Sequence, residues 1–277
     1  MSEISCTICL KADGVRLTDA KLLIYHCLSC DHTFTAQPHS ERERYEEEYF
    51  YEKHPNWFAN PNTSYFEWIC RTIEKYAVSQ ETQRFLDVGC GTGDLLKHLL
   101  KRQAPLELHG MDVLKNSYPG VHFIEGDFFT DPVDGPFDVM ATLMVIEHVD
   151  NPLLFVQRLN QNLKTGGLLI LSTNNNGGML YGLARFMKKM GLRVAYDRVY
   201  SHHHLQHFTN TSLRKILEQN GFEILLHRNH NYPLKSVDTP PASWIVRKVY
   251  LTVVALIFGL SSLLGNGFLQ TYVCRKK

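Results

Sequence analysis

The segment Phe85-Leu-Asp-Val-Gly-Cys-Gly-Thr-Gly-Asp94 constrains this chain more than any other. An apolar run of buried-strand length enters a turn with glycine at 89, 91 and 93, and a helical pattern follows. Glycine admits left-handed backbone and close approach of a ligand where a Cβ would interfere. Strand, glycine turn and helix form the layout with which open α/β sheets hold a ligand at the carboxyl end of a strand. The GxGxxG fingerprint of nicotinamide-binding folds is the obvious rival, but here the spacing is GxGxG and Asp94 stands where a third glycine belongs. A pyrophosphate wants a helix N-terminus without negative charge. Asp87 before the turn and Asp94 after it suit a cationic ligand end better, such as an α-amino group or a sulfonium.

The residues downstream repeat the β–α pattern. Arg84–Val88, Glu107–Met111, Val121–Ile124, Phe137–Leu143 and Leu168–Ser172 read as strands; Asp94–Lys101 and Leu153–Leu163 read as amphipathic helices, the second stopped by Gly166-Gly167. Strands alternating with helices predict a parallel sheet covered on both faces. Asp112 follows the second strand, where a carboxylate can accept ribose hydroxyls. Asp127 follows the third and can accept an adenine amino group, with Phe128 beside the ring. Each acid alone would read as an ordinary turn residue; with the glycine turn they outline a nucleoside site.

These residues resemble the class I S-adenosylmethionine-dependent methyltransferases. LDVGCGTG is similar to their first motif, and Asp112 and Asp127 stand at the positions of their ribose acid and adenine contact. FDVMATLMVIEHVDNP is similar to their fourth motif, with the Glu147-His148 pair of the branch like ubiquinone-biosynthesis O-methyltransferases. LKTGGLLILSTNN and HLQHFTNTSLRKILEQNGFEI resemble the fifth strand and the late helix with the sixth strand. The resemblance covers about residues 65–277. It implies S-adenosylmethionine as cofactor, bound by Asp87, Gly89, Cys90, Gly91, Gly93, Asp112, Asp127 and Phe128. It also implies an α/β, Rossmann-like seven-stranded sheet whose last strand is antiparallel, a place that Phe268–Cys274 would fill.

Four of the seven cysteines form two CxxC pairs, Cys6/Cys9 and Cys27/Cys30, at zinc-ribbon spacing. So small a segment has little core, and a structural Zn2+ would contribute much of its folding energy. Knuckle glycines are absent: Leu10 and Asp31 follow the second cysteine of each pair. Four thiolates leave no open position for catalysis by the metal. The expected organisation is a ribbon at 1–36, an aromatic linker with helices at 37–80, and a methyltransferase domain at 81–277 with a substrate cap at about 177–207. This layout is similar to methyltransferases of sugar and surface-polysaccharide biosynthesis.

Methyl transfer requires alignment and, for many acceptors, a base. His148 and His207 are the candidates, beside the run His202-His203-His204. Their plainer roles are loop ordering for His148 and helix capping near Thr209 or Asn210 for His207. Residues 177–200 are basic and amphipathic, with Arg185, Lys188, Lys189, Arg193 and Arg198; they read as a lid hinged at Gly177-Gly178 or as a packed helix with a solvated face. Tyr49, Tyr51, Trp57 and Phe58 are candidate walls of the acceptor pocket. From Val249 to Cys274 no residue is charged. Gly265-Asn266-Gly267 divides that run into an apolar helix and a strand, so contact with a membrane surface or a subunit interface through 249–264 is favoured over spanning.

Over 277 residues, 29 basic side chains face 28 acidic ones, which weighs against a general nucleic-acid binder. Met1–Lys11 has no apolar core of a signal peptide, so a cytoplasmic location is expected, with membrane association at most peripheral. The first expectation for the acceptor is a small molecule, a sugar or lipid-linked glycan intermediate. A quinone or phenolic precursor is the alternative. RNA, or a non-catalytic binding protein that keeps the cofactor fold as a scaffold, is the remaining reading.

Overall fold

The computed structural model describes residues 4–17, 22–36, 55–77, 82–200, 203–239 and 243–277. Tyr49, Tyr51, His202 and the side chain of Phe58 lie outside the described set.

Three short antiparallel strands open the chain: β1 (Gly14–Arg16), β2 (Ile24–Cys27) and β3 (Thr33–Thr35). The two CxxC pairs fold into matching knuckles. Leu10 N–H donates to Cys6 O and Asp31 N–H to Cys27 O, each at 3.0 Å. Leu10 and Asp31 take φ of 61° and 59°, the left-handed conformation that glycine holds at lower cost. The knuckle therefore forms without its glycines.

Helices α1 (Pro55–Ala59) and α2 (Thr63–Tyr76) lead into the main sheet. Its elements follow in chain order: β4 (Gln83–Val88), α3 (Asp94–Lys101), β5 (Leu106–Asp112), β6 (His122–Glu125), β7 (Phe137–Leu143), α4 (Pro152–Asn162) and β8 (Leu163–Asn174). After these come α5 (Met179–Lys189), α6 (Val194–Val199), β9 (Gln206–His207), α7 (Asn210–Gln219), β10 (Phe222–His230), α8 (Trp244–Leu263) and β11 (Leu269–Lys276). The sheet order is β10-β11-β8-β7-β4-β5-β6, with β11 antiparallel to both neighbours and the pairs among β4 to β8 parallel. Val139, Met140, Ala141, Leu169, Ile170 and Leu171 are fully buried, as strands covered on both faces require. The chain runs outward from β4 to β6 and then returns to β7 on the other side of β4. The carboxyl ends of β4 and β7 thus mark the topological switch point, where such sheets bind ligands.

Two differences from the sequence reading have physical causes. First, Gly166-Gly167 does not stop a helix: α4 ends at Asn162 and β8 runs through both glycines. Gly166 has φ of 78°, and a Cβ on Gly167 would meet Leu163 Cγ and Lys164 O at 2.8 Å, so the pair shapes an irregular strand entry. Second, the ribbon is not a separate sheet. β3 pairs with β9, from the insertion, through Thr33↔His207 and Phe34↔Gln206. Cys6, Cys27 and Phe34 share one core with Phe208, Leu213 and Tyr272.

Candidate active site

The glycine turn leaves β4 with φ of 69°, 52° and 76° at Gly89, Gly91 and Gly93. A Cβ on Gly89 would stand 2.4 Å from Val145 Cγ2, so no larger residue fits. At Gly91 nothing lies within 4 Å of such a Cβ, which leaves the backbone open to a ligand. Two side chains fix the turn from β5 and its loop. Asp112 Oδ2 accepts from Gly91 N–H at 2.7 Å, and Asn116 Nδ2 donates to Gly91 O at 2.7 Å. Asp112 Oδ1 accepts from Leu114 N–H, and each carboxylate oxygen keeps a further lone pair for hydroxyl donors.

Asp87, at the end of β4, is 3% exposed. Burial, reinforced by the nearby Asp112 carboxylate, pushes its pKa up to about 8. A carboxyl held at this cost gains from a cation brought beside it. Cys90 is also pushed up by burial, which keeps its thiol protonated and argues against a nucleophile. Asp127 is exposed and accepts from Phe129 N–H at 2.8 Å, closing a local turn. Phe128 is 7% exposed, with its ring edge-on to Phe155 at 5.6 Å and Arg158 over it at 5.5 Å. Phe128 thus belongs to the core under the site, and stacking on a nucleoside base would require its ring to leave that packing.

The cleft joins this cofactor end, lined by Asp87, the glycine turn and Asp94, to an aromatic end lined by Trp57, Tyr65, Phe66 and Tyr232. Trp57 meets Tyr232 edge-on at 5.0 Å. Met144, on the rim after β7, has φ of 61°, a strained conformation of the kind that clusters at functional sites. At the cleft floor, Ser172 Oγ accepts from Thr271 Oγ1 at 3.1 Å. Thr271 Oγ1 also lies 2.7 Å from Tyr65 Oη and 2.8 Å from His230 Nε2. His230 stacks on Tyr65 at 4.6 Å, and burial lowers its pKa to about 4, so it is neutral at pH 7.

Neither sequence-derived histidine is among the residues lining this cleft. His148 Nδ1–H donates to His203 O at 2.9 Å, and its ring lies 4.9 Å from His204. The adjacent Glu147 is fully buried, accepts from Thr173 Oγ1 at 2.7 Å, and is raised by burial to about 7. His207 is held in the ribbon sheet, 1% exposed, with Nε2 3.1 Å from Thr35 Oγ1 and its pKa lowered by burial to about 3. Helix capping falls to Thr209, which accepts from Ser212 N–H in a capping box. His230 was missed because a lone histidine at a strand end carries no spacing signal.

The basic insertion is docked rather than loose. Arg185 Nη1 donates to Asn176 O at 2.9 Å and to Tyr200 Oη at 3.1 Å, and Lys188 Nζ to Leu17 O at 3.2 Å. A Cβ on Gly178 would meet Gly267 O at 2.7 Å, so this glycine serves close packing. Gln206 joins ribbon to domain. Its Oε1 lies 2.9 Å from Thr7 Oγ1 and His32 Nε2, while its Nε2 donates to Val149 O at 3.0 Å.

In the ribbon, the sulfurs of Cys6 and Cys30, Cys9 and Cys27, and Cys27 and Cys30 approach to 3.5, 3.4 and 3.4 Å. A tetrahedral zinc with bonds of about 2.3 Å would set sulfur–sulfur edges of about 3.8 Å. The donor set and its spacing fit that ion. The hydrogen bond between Cys6 and Cys30 lowers the pKa of Cys6 and raises that of Cys30.

A model of the methyltransferase domain family matches residues 62–227. The ubiquinone biosynthesis O-methyltransferase of Dictyostelium discoideum mitochondria is 29% identical over 161 residues, covering 50% of this chain and 49% of that protein. The ubiquinone biosynthesis O-methyltransferase of Ruegeria sp. is 30% identical over 150 residues, covering 50% and 59%. The chain therefore spans about half the length of these relatives. A SAM-dependent methyltransferase from Archaeoglobus fulgidus shares the fold, with a TM-score of 0.53 at 18% identity over 82% of this chain and 98% of that one. With the glycine turn, the sheet order and the family match in agreement, the chain belongs to the methyltransferase domain family, in its class I S-adenosylmethionine-dependent form.

Proposed function

We propose that the protein methylates an oxygen of a small planar acceptor, a phenolic or quinol precursor, at the aromatic end of the cleft. The observation that carries this reading is the continuity of the Asp87–Gly89 turn with a pocket walled by Trp57, Tyr65, Phe66 and Tyr232. Aromatic walls favour a flat ring by offset or edge-on stacking. The ubiquinone-biosynthesis relatives support the same acceptor class. A sugar or glycan acceptor, expected from the layout, is not carried further. The relatives above do not favour it, and among the described residues the only carboxylates lining the cleft, Asp87 and Asp94, stand at the cofactor end.

When bound, S-adenosylmethionine supplies an electrophilic methyl group on a sulfur that leaves as a neutral thioether. Asp87 and the glycine turn would hold its cationic amino-acid end, Asp112 its ribose hydroxyls, and Asp127 its adenine edge. Ser172 lines the cleft and accepts from Thr271, whose oxygen also meets His230, so this network can orient the acceptor's hydroxyl toward the methyl group, with His230 as a positioning residue. The four ribbon cysteines would hold a structural zinc with no open position, leaving the ion outside the chemistry.

The test is calorimetric titration with S-adenosylhomocysteine, followed by turnover on catechols, hydroxybenzoates and nucleotide sugars. Micromolar binding and turnover of the phenols are expected. Turnover of sugars alone, or no binding by folded protein, would overturn the reading.

A further inference from the structure

Helix α8 has the length and composition of a membrane span, yet only 17% of its apolar window is buried. Its inner face is ordinary: Val254, Phe258 and Ser261 are buried, and Phe258 packs edge-on to Tyr232 at 5.3 Å. Its outer face is not. Val246, Val249, Val253, Leu256, Leu260 and Leu263 recur every three or four residues and are about half exposed or more, up to 86% at Leu263. Helix α5 packs against α8, and Arg198 of α6 lies over the Tyr250 ring at 5.3 Å. The turn after α5 and the first residue of α6 add Met190, Leu192 and Val194, exposed by 68%, 59% and 82%.

Charge is segregated with this apolar surface. The stretches 179–200 and 244–264 hold seven basic residues and one acid, whereas the rest of the chain has an acidic excess. Lys189, Arg247 and Lys248 are exposed on the same two stretches, as is Arg193, which pairs with Asp197 at 3.4 Å, and Trp244 stands 67% exposed at the start of α8 with Lys248 over its ring. Apolar stripe, basic rim and an aromatic at the margin are the features of a helix lying in a bilayer interface against anionic headgroups.

We propose that α8, together with the α5–α6 turn, docks the protein in the plane of an anionic membrane surface. Spanning is excluded by the fold. The buried side of α8 packs on the domain, and Gly265 turns the chain straight into β11, which pairs on both sides in the central sheet. The surface also meets the cleft, since Tyr232 lines the acceptor end and touches α8. An acceptor ring tethered to a lipid tail could thus enter from the bilayer; this last step rests on the proposed acceptor class, whereas the docking does not.

The test is sedimentation of the full chain, without cofactor, with phosphatidylglycerol–phosphatidylcholine vesicles and with phosphatidylcholine vesicles. Binding to the anionic vesicles, at least tenfold weaker on neutral vesicles and reversed by high salt, is expected. Leu256→Glu/Leu260→Glu, two exposed positions, should abolish it while circular dichroism and S-adenosylhomocysteine binding stay unchanged. Retention after an alkaline carbonate wash would mean insertion across the bilayer and would overturn in-plane docking. Absence of vesicle binding would also overturn it; if the double variant then converted a dimer to a monomer, the face would be a contact between copies. Lost cofactor binding with intact vesicle binding would refute the enzymatic reading alone.

Discussion

At the scale of single residues, the two acids at the ends of β4 and β5 do different work. Asp112 is half-buried and already spends one lone pair per oxygen on the turn, so its removal costs both a ligand contact and the order of Gly91. Asp112→Ala is expected to weaken S-adenosylhomocysteine at least tenfold, and Asp112→Asn less; equal affinities of wild type and alanine variant in a calorimeter would remove Asp112 from the site. The histidines separate in the same way. His230 touches the hydroxyl network of the cleft floor, whereas His207 joins the ribbon sheet. His230→Gln should lower turnover at least tenfold with cofactor affinity unchanged. His207→Ala should instead lower the stability by about 2 kcal/mol or more, read as a lower melting temperature, because it removes a buried ring packed 4.8 Å from Tyr200. A pair of assays that reversed these assignments would return the catalytic role to His207. Asp87, the glycines and Asp112 were legible in the sequence because each is dictated by local backbone geometry. His230, Tyr65 and Thr271 were not, because residues so far apart in the chain meet only when β10, β11 and α2 pack.

At the scale of elements, the ribbon shows which knuckle features are required. Two hydrogen bonds and a left-handed residue suffice, and Leu10 and Asp31 supply that conformation at a cost of about 1–2 kcal/mol each. Leu10 is 66% exposed, so its side chain returns little by packing. With zinc loaded as proposed, Leu10→Gly is therefore expected to slow metal loss to a chelator and to raise stability by about 0.5–1 kcal/mol, after the greater unfolded-state entropy of glycine is counted. Unchanged or faster zinc release by the glycine variant would show that the knuckle is unstrained. Chelation should also reach the domain, because the ribbon sheet includes β9 and Gln206 ties Thr7 and His32 to the loop after β7. The convergence of the four cysteines was readable from their spacing. Its fusion to the insertion was not, since a two-residue strand leaves no periodicity to find.

At the scale of the whole molecule, buried titratable groups set opposing limits on pH. Asp87 and Glu147 have folded pKa values of about 8 and 7, raised above their ordinary 3.8 and 4.5. Their folded forms bind protons that the unfolded chain has released, so the stability they contribute is full below about pH 4 and is lost as pH rises through 7 and 8. His207 and His230 are depressed from 6.5 to about 3 and about 4, so their contribution is present above 6.5 and is lost as pH falls. Between about pH 4.5 and 6.5 the two slopes oppose each other, and above 6.5 these histidines no longer offset the carboxylates. Asp87 and Glu147 together should remove about 2–3 kcal/mol between pH 6.5 and 8, at about 1.4 kcal/mol per group and pH unit. A ligand cation beside Asp87 would favour its carboxylate and relieve that part of the loss. Thermal melts from pH 6.5 to 8.5 should then fall steeply for free protein, less steeply with S-adenosylhomocysteine bound, and less steeply for Asp87→Asn without ligand. Binding should release a proton, visible as a dependence of the calorimetric heat on buffer ionisation enthalpy. Parallel melting curves with and without ligand, and heats independent of buffer, would show that Asp87 keeps its proton and that the cationic end of the cofactor is held elsewhere in the cleft.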